Sequence, residues 1–404
     1  MQRIHIVGGG LAGLTAAITA AESRAQVTLH EAHHTLGGRA RTSDGPYLTN
    51  EGPHALYRRG PHWTWLEQRK LLGPMASVPP LEGTRFLFRR EGALRRTPPL
   101  AMLRLARRSA RTAPVDTDFL SWATGQVGED GARAAAHYMG VALFHHDPGS
   151  LSAAFVQPRL RRATALPPEA HYPVGGWAQL VDRMASLAWK LGVRIETADR
   201  IGPRDLAALR DSGPVIVATH LDSARTLLED SSLTWDSGRT ALLDLALRTR
   251  RGDPFIVSDL DAPGWVERFT AQDPTLAPAG EQLIQAQIPL APGTPRADAV
   301  RRAEDLLDLG FPGWRDRTTW RREALAAGRT GAVDKPGTTW RDRPAVDRGD
   351  GVLLAGDQVA APGLLSEVAF NSGIEAAVLA LKLLGRTAQE TQTAQETPRT
   401  AEAP

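Results

Sequence analysis

Cysteine is absent from the chain, and its absence excludes several kinds of chemistry. Without a thiol there is no disulfide, no thiolate metal ligand and no cysteine nucleophile. A chain without disulfides fits a reducing compartment. We therefore look for function in the remaining polar and glycine-rich segments.

Long apolar runs are also missing, because no stretch approaches the roughly 18 apolar residues that a membrane span needs. Met1-Gln2-Arg3 leads directly into an apolar strand that the fold needs, which is unlike a signal peptide. We therefore expect a cytoplasmic protein with no transmembrane segment.

An excess of one charge is lacking too. The formal net charge is only +3 over 404 residues, so nothing in the composition calls for a nucleic-acid partner. Hydrophobic residues make up 42% and charged residues 23%, which is typical of a globular protein. The length fits two intertwined domains better than one simple core.

The N-terminus has the pattern of a βαβ unit. Residues 3–7 predict a buried strand, a glycine-rich turn follows, and an Ala/Leu/Ile-rich segment from Leu14 predicts a helix before a second strand at 26–31. The turn satisfies G-x-G-x-x-G through Gly8, Gly10 and Gly13. Such a turn brings helix amides and the positive end of the helix dipole to a diphosphate. We therefore predict a dinucleotide site, although a glycine turn without ligand remains the alternative.

An acid at the end of the second predicted strand supports this prediction. Glu31 lies eighteen residues after Gly13, where a carboxylate can accept hydrogen bonds from both ribose hydroxyls. It would repel a 2′-phosphate, so NADP is disfavoured.

Two further segments distinguish FAD from NAD. Leu36 to Thr42 contains two glycines, which let the chain run against a ligand, and two arginines that can face phosphates. Near the C-terminus, a strand at 351–355 is followed by Gly356-Asp357, where the carboxylate can accept a ribityl hydroxyl. We expect the helix beginning near Gly373 to direct its amides at the flavin.

Together these motifs resemble the FAD-dependent amine oxidase and phytoene desaturase-like superfamily. The resemblance is carried by the Gly8–Gly13 turn, Glu31, Gly37-Gly38-Arg39, Tyr172-Pro-Val-Gly-Gly-Trp177 and Ala355-Gly356-Asp357. It covers about half of the chain and implies non-covalent FAD. The segments at 50–57 and 363–367 resemble flavin-side segments of the same superfamily, and Ile195 or Ile201 matches its adenine contact. The implied cofactor-binding residues are Gly8, Gly10, Leu11, Ala12, Gly13, Glu31, Ala32, Gly37, Gly38, Arg39, Ala40, Arg41, Gly52, Pro53, His54, Ile201, Gly356, Asp357, Leu364, Leu365 and Ser366.

The fold class that follows is α/β. We predict a Rossmann-like FAD-binding domain, with a parallel sheet, at 1–84, 172–232 and 345–386, and an inserted α+β substrate domain with a helical part at 85–171 and 233–344. The polar segment 387–404 predicts a disordered tail.

A departure from the superfamily bears on the reaction. Its amine oxidases usually place a lysine near the flavin, but no lysine occurs between 191 and 334. With only four tyrosines, an aromatic cage for an amine is not evident. We therefore favour a desaturase or dehydrogenase that takes hydride from a hydrophobic small molecule, such as an isoprenoid or secondary metabolite. The alternatives are an amine oxidase, a non-redox flavin-dependent isomerase, and a flavin-containing binding protein without turnover.

Other candidate residues have simpler alternatives. His54 is the candidate catalytic residue, because imidazole exchanges protons near neutral pH, but a loop histidine bonded to the backbone is the simpler interpretation and is slightly favoured. His145-His146 is a poor metal site because adjacent helical side chains diverge, so we predict no metal. The basic helix expected at 98–113 packs on the substrate domain or rests on an anionic membrane surface.

Overall fold

The computed structural model describes residues 3–50, 55–107 and 110–396. Its strands are β1 Ile4–Val7, β2 Val27–His30, β3 Leu56–Tyr57, β4 Met75–Ala76, β5 Phe86–Arg90, β6 Ala93–Arg95, β7 Ala170–Pro173, β8 Arg194–Glu196, β9 Val215–Val217, β10 Ser237–Arg248, β11 Ile256–Asp259, β12 Gly264–Arg268, β13 Glu281–Pro289, β14 Thr318–Ala332 and β15 Val352–Leu354. Its helices are α1 Leu11–Glu22, α2 Pro61–Gln68, α3 Pro80–Gly83, α4 Leu100–Ala106, α5 Phe119–Val127, α6 Glu129–Leu143, α7 Ala153–Ala163, α8 Trp177–Lys190, α9 Pro203–Ser212, α10 Leu221–Leu227, α11 Arg296–Gly310, α12 Trp314–Arg317 and α13 Ser366–Glu396.

A five-stranded parallel sheet, in the order β15-β9-β1-β2-β8, forms the first layer. The residues of β1, β2, β9 and β15 are all buried, as expected where helices cover both faces. Helices α8 and α13 pack against α1 on one face. The crossover from β8 to β9 runs back across the sheet, so the right-handed rule puts α9 on the opposite face. The sheet gathers strands from the start, middle and end of the chain.

Polar side chains of β1 and β2 lie on the face of the parallel sheet that α9 covers. His5 on β1 and His30 on β2 stack with their ring centroids 5.5 Å apart. His30 Nδ1 lies 2.6 Å from Asp199 Oδ2, and His5 Nε2 lies 2.7 Å from Ser212 Oγ at the end of α9. Burial lowers the pKa of His5 to about 4, with the neighbouring His30 and Arg3 acting in the same direction. His5 is therefore neutral at physiological pH.

A second sheet of seven strands has the order β14-β10-β13-β12-β11-β5-β6 and is mixed, since β11 and β5 pair in parallel. Alternate residues of β10 and β13 form an apolar core with α11. The sequence did not predict β12 or the long strand β14. Alanine, arginine, glutamate and leucine in Thr318–Ala332 favour a helix locally, but pairing of residues 318–327 with β10 outweighs that preference. The predicted fold class, a Rossmann-like domain with an inserted sheet-bearing domain, is confirmed.

The helical part is built by α4 to α7 around a core that includes Met102, Phe119 and Met139. The basic helix expected at 98–113 is shorter in the structure, because α4 ends at Ala106 and Arg107 is extended. Its buried residues, Met102 and Leu105, face this core, whereas Leu100 is exposed. The apolar side of α4 is therefore used in packing.

The last helix differs from the prediction at both ends. We expected it to begin near Gly373 and a disordered tail to begin at 387, but α13 runs from Ser366 to Glu396. The repeated Thr-Ala-Gln-Glu-Thr contains good helix formers and no proline, so it extends the helix; residues 397–404 lie outside the described part. Gly373 is instead a packing residue, since a Cβ there would lie 2.5 Å from the Ala12 carbonyl oxygen.

The Ser366–Gly385 part of α13 is the one described segment that is long and apolar enough to cross a membrane by length and composition. Residues Phe370, Ala376, Ala377 and Ala380 are buried within the core of the parallel sheet. Its apolar face is thus used inside the fold.

Candidate functional site

The glycine turn between β1 and α1 is shaped by contacts that exclude side chains. Gly8 has a φ of +109°, and a Cβ there would lie 2.7 Å from the Ala218 carbonyl oxygen beyond β9. A Cβ on Gly13 would lie 1.9 Å from the Gly8 carbonyl oxygen. By contrast, a Cβ on Gly10 would meet only the Gly37 carbonyl oxygen, at 3.9 Å. Gly10 therefore borders open space at the start of α1, where the unpaired amides of Leu11 and Ala12 favour an anion.

Glu31 follows β2 beside this turn and is only 6% exposed. Its Oε2 accepts the Gly9 amide hydrogen at 2.7 Å, and its Oε1 accepts that of His33 at 2.9 Å. Each oxygen retains acceptor capacity for a further donor such as a ribose hydroxyl. Ala32, the next residue, is half-buried.

The Gly37–Arg41 segment lies directly against the turn. The Gly37 amide donates to the Gly9 carbonyl at 2.8 Å, and Gly10 and Gly37 form an isolated parallel bridge. Gly38 has a φ of +58°, and a Cβ there would lie 3.4 Å from the Gly10 Cα. Ala40 is buried, and the Arg41 Nε is also buried and has no hydrogen-bond partner among the described residues. A buried guanidinium nitrogen without a partner fits a site for an anion such as a phosphate.

Two residues predicted to bind different parts of the cofactor bind each other in the structure. Arg39 donates two hydrogen bonds to the Asp357 carboxylate, at 2.6 and 2.7 Å. Asp357 follows β15, and the amide of the preceding Gly356 donates to Ser372 Oγ of α13 at 2.9 Å. The separate roles predicted for Arg39 and Asp357, at a phosphate and at a ribityl hydroxyl, remain predictions. What the structure shows is that this ion pair joins the N-terminal and C-terminal halves of the site.

The remaining predicted residues lie in three places. Leu364 and Leu365 precede α13, which Ser366 begins, and the Leu364 amide donates to Glu367 Oε2 at 3.1 Å. A Cβ on Gly331, at the end of β14, would lie 3.6 Å from Leu365 and 3.7 Å from Asp357, so this loop and Asp357 border the same space. Ile201 and Ile195 are half-buried against the core of the parallel sheet. Gly52, Pro53 and the candidate catalytic residue His54 lie outside the described residues.

The sequence reasoning missed a row of polar side chains on the second sheet. Arg322, Asp244, Gln285 and Glu267 are successive cross-strand neighbours on β14, β10, β13 and β12. Their side chains lie on the face of the second sheet that points away from α11, and we call these four residues the polar row. Arg322 donates to Asp244 at 2.8 Å and to the Asn50 carbonyl at 3.4 Å, so this polar row faces the segment that follows Arg41.

Glu267 lies among tyrosines at the end of the polar row. Its Oε1 accepts from Gln272 Nε2 at 3.1 Å and from the Tyr172 hydroxyl at 3.4 Å. Tyr57 and Tyr138 lie close enough for Glu267 to raise their pKa values, although burial is the larger cause. Burial raises the pKa of Glu267 itself to about 7. Tyr172 thus contacts this carboxylate and Tyr57 and Tyr138 lie within its electrostatic reach, which the small number of tyrosines did not suggest. An acid within the alternating segment 264–268 was the available signal.

His145 and His146 lie just after α6, with ring centroids 4.8 Å apart. Burial and the neighbouring His146 lower the pKa of His145. Within the described ranges, no group of three or more His, Asp or Glu side chains is placed to hold a metal ion.

Comparisons with known proteins agree with this architecture. A family model described as an NAD(P)-binding Rossmann-like domain matches residues 6–73. No curated protein matches the chain. An oxidoreductase from Methanosarcina mazei has a similar structure, with a TM-score of 0.69, 17% identity and coverage of 93% of this chain and 100% of that one.

Two other solved structures have the same architecture. Cyclohexylamine oxidase from Brevibacterium oxydans has a TM-score of 0.70 and 18% identity, covering 95% of this chain and 100% of that one. Reduced UDP-galactopyranose mutase has a TM-score of 0.66 and 13% identity, covering 95% of this chain and 96% of that one. The chain has the fold of the FAD-dependent oxidoreductase superfamily, as the motifs predicted. Within it, the fold is shared with amine oxidases and with a mutase.

Proposed function

We propose that the protein is an FAD-dependent oxidoreductase that removes a hydride from a carbon of a small molecule. The observation that carries the proposal is the shape of the turn and its surroundings. Gly10 borders open space, Glu31 has spare acceptor capacity, and the buried Arg41 Nε lacks a partner among the described residues. Each feature suits one part of a dinucleotide: the diphosphate, the ribose and a phosphate oxygen.

The chain's contribution to the reaction is to bind and to orient. The α1 amides and Arg41 would hold the diphosphate, and Glu31 would hold the ribose hydroxyls. The Arg39–Asp357 pair would fix the two halves of the site relative to each other. Bound FAD would supply the hydride acceptor. The buried face that carries the polar row would keep the substrate away from bulk water, and His54 remains our predicted proton acceptor.

Within this class we favour a dehydrogenase or desaturase over an amine oxidase, because no lysine occurs between 191 and 334. The similarity in fold to a mutase keeps an isomerase as the second candidate.

The absorption spectrum of the purified protein tests the cofactor. We expect a yellow protein that releases FAD on denaturation. A correctly folded protein that stays colourless when FAD is added would refute the proposal. Candidate substrates added without oxygen then test the reaction: bleaching of the flavin indicates hydride removal, and product formation without net bleaching indicates an isomerase. Bleaching by a compound that has no amine group favours a dehydrogenase or desaturase over an amine oxidase.

A further inference from the structure

Two carboxylates in the polar row differ in how they are compensated. Asp244 is paired with the Arg322 guanidinium at 2.8 Å and also accepts a hydrogen bond from Gln285. Glu267 is equally buried, at 2% exposure. However, in the described part of the chain no Arg, Lys or His nitrogen lies within 4.0 Å of its carboxylate. Both hydrogen bonds to Glu267 reach Oε1, so Oε2 receives no donor among the described residues.

Other polar atoms around Glu267 also lack partners. Trp265 lies two residues away on the same face of β12, and Ser258 on β11 is its cross-strand neighbour. Trp265 Nε1, Ser258 Oγ and Gln272 Oε1 are all buried, and none has a hydrogen-bond partner among the described residues. A buried polar atom left without a partner costs about 1–3 kcal/mol, and native proteins rarely leave several together. The cluster therefore has the composition of a polar binding site.

The surroundings of this cluster are aromatic. Trp265 and Tyr138 lie with ring centroids 6.4 Å apart, and Tyr172 lies edge-on to Phe269 at 6.1 Å. Tyr57, Tyr138 and Tyr172 are the titratable groups that face Glu267 from β3, α6 and β7. Burial raises the pKa of each phenol, so all three stay neutral at physiological pH.

We propose that Glu267 is the residue that selects the substrate, by accepting a hydrogen bond from a hydroxyl or protonated amine on it. The substrate is therefore a polar small molecule with a hydrogen-bond donor, and an all-carbon isoprenoid does not fit. Trp265, Ser258 and Gln272 complete the contacts to its polar end. The inference rests on the proposed function only in taking this ligand to be the substrate.

Three ring compounds that differ in one group test the inference. Benzylamine, benzyl alcohol and toluene are titrated into the FAD-loaded protein, and binding is followed by calorimetry and by tryptophan fluorescence. We expect the better of the two donor compounds to bind at least about tenfold more tightly than toluene, as a hydrogen bond to a charged group predicts. If the affinity for benzylamine increases as pH is raised from 6 to 8, the donor that Glu267 recognises is an ammonium group. If the affinity for benzyl alcohol stays equal across that range, the donor is a hydroxyl.

Glu267→Gln keeps the shape of the side chain but removes its charge and one of its two acceptor oxygens, so we expect it to lower the preference over toluene several-fold. Glu323→Gln is the matched control, because Glu323 lies on the opposite face of the same sheet and pairs with Arg321 at 2.7 Å. It should keep the preference. Either of two results overturns the inference. In the first, wild-type protein binds all three compounds with equal affinity or binds none of them. In the second, Glu267→Gln retains the full preference for the donor compounds over toluene.

The FAD content of each preparation separates the two proposals. A yellow protein without preference for donors refutes the role of Glu267 alone. A colourless protein that still prefers donors, and shows a lower preference in Glu267→Gln, refutes the redox function and leaves a polar ligand site.

Discussion

Gly10 and Gly13 belong to one motif, but the structure predicts different consequences when each is replaced by alanine. Gly10 has φ −77° and ψ −173°, which alanine adopts readily, and its Cβ would have no neighbour closer than 3.9 Å. Folding should therefore tolerate Gly10→Ala, with a gain of up to about 1 kcal/mol from a less flexible unfolded chain. The new methyl group would occupy the space assigned to the diphosphate. Crowding of this kind costs about 1–3 kcal/mol, so the Kd for FAD should rise by roughly 5–150-fold.

Gly13→Ala should act on the fold itself. The Cβ would lie 1.9 Å from the Gly8 carbonyl oxygen, which is backbone and cannot swing aside. The turn and α1 must then separate, which should lower the free energy of unfolding by about 3 kcal/mol or more.

Urea unfolding of apo-protein and fluorescence titration with FAD measure the two effects separately. Gly125→Ala in α5 is the control for a general glycine-to-alanine effect, because a Cβ there has nothing within 4 Å. Gly125→Ala should change neither the free energy of unfolding nor the free energy of FAD binding by more than about 1 kcal/mol. Unchanged FAD affinity in Gly10→Ala would refute the assignment of the diphosphate to this turn. A loss of stability in Gly10→Ala equal to that in Gly13→Ala would refute the steric reasoning.

Three other predictions concern the same region and its support. Arg41→Met should raise the Kd for FAD by about tenfold or more while leaving urea unfolding of apo-protein nearly unchanged, since a charge-assisted contact is lost only in the complex; equal losses in both would contradict a phosphate role. Asp357→Asn should lower the free energy of unfolding by about 1–3 kcal/mol, because the guanidinium of Arg39 loses its charged acceptor, and an unchanged urea midpoint would count against that pair. Burial lowers the pKa values of His5 and His62 in the folded protein to about 4. In the unfolded chain a histidine has a pKa of about 6.5, so below that pH the unfolded state binds more protons than the folded state. Each histidine should therefore cost about 2 kcal/mol of stability between pH 7.5 and 5. Because the raised pKa of Glu267 acts in the opposite direction, the test compares wild type with His62→Gln: the urea midpoint of the variant should fall less, or rise more, over this range, and identical profiles would disprove the histidine effect.

The parallel-sheet domain was predictable from sequence because its signals are local. A buried strand, a glycine turn and a helix follow each other within residues 4–22, and Glu31 ends the next strand. Gly8 and Gly13 are required by close backbone approaches, so this requirement is visible in the sequence as a fixed spacing. The ion pair between Arg39 and Asp357 was not visible, since nothing local relates residues 318 positions apart.

The polar row of the second sheet was harder to predict, because its signals are not local. The importance of Glu267 comes from strand pairing that brings Arg322, Asp244 and Gln285 into one row, and pairing depends on tertiary context. The tyrosines illustrate the limit well. Their number is small, but β7 brings Tyr172 into contact with Glu267, and Tyr57 of β3 and Tyr138 of α6 lie within the electrostatic reach of the same carboxylate. A count of residue types carries no information about where they meet.

The packing of α13 along α1 has a consequence for biosynthesis. A ribosome releases the first helix hundreds of residues before the helix that covers it, because α1 begins at Leu11 and α13 at Ser366. The strand that completes the edge of the parallel sheet, β15, also emerges near the end. The nascent chain must therefore keep an apolar helix surface uncovered until α13 has been made, and a ribosome stalled before codon 352 would display an incomplete parallel sheet to chaperones and proteases.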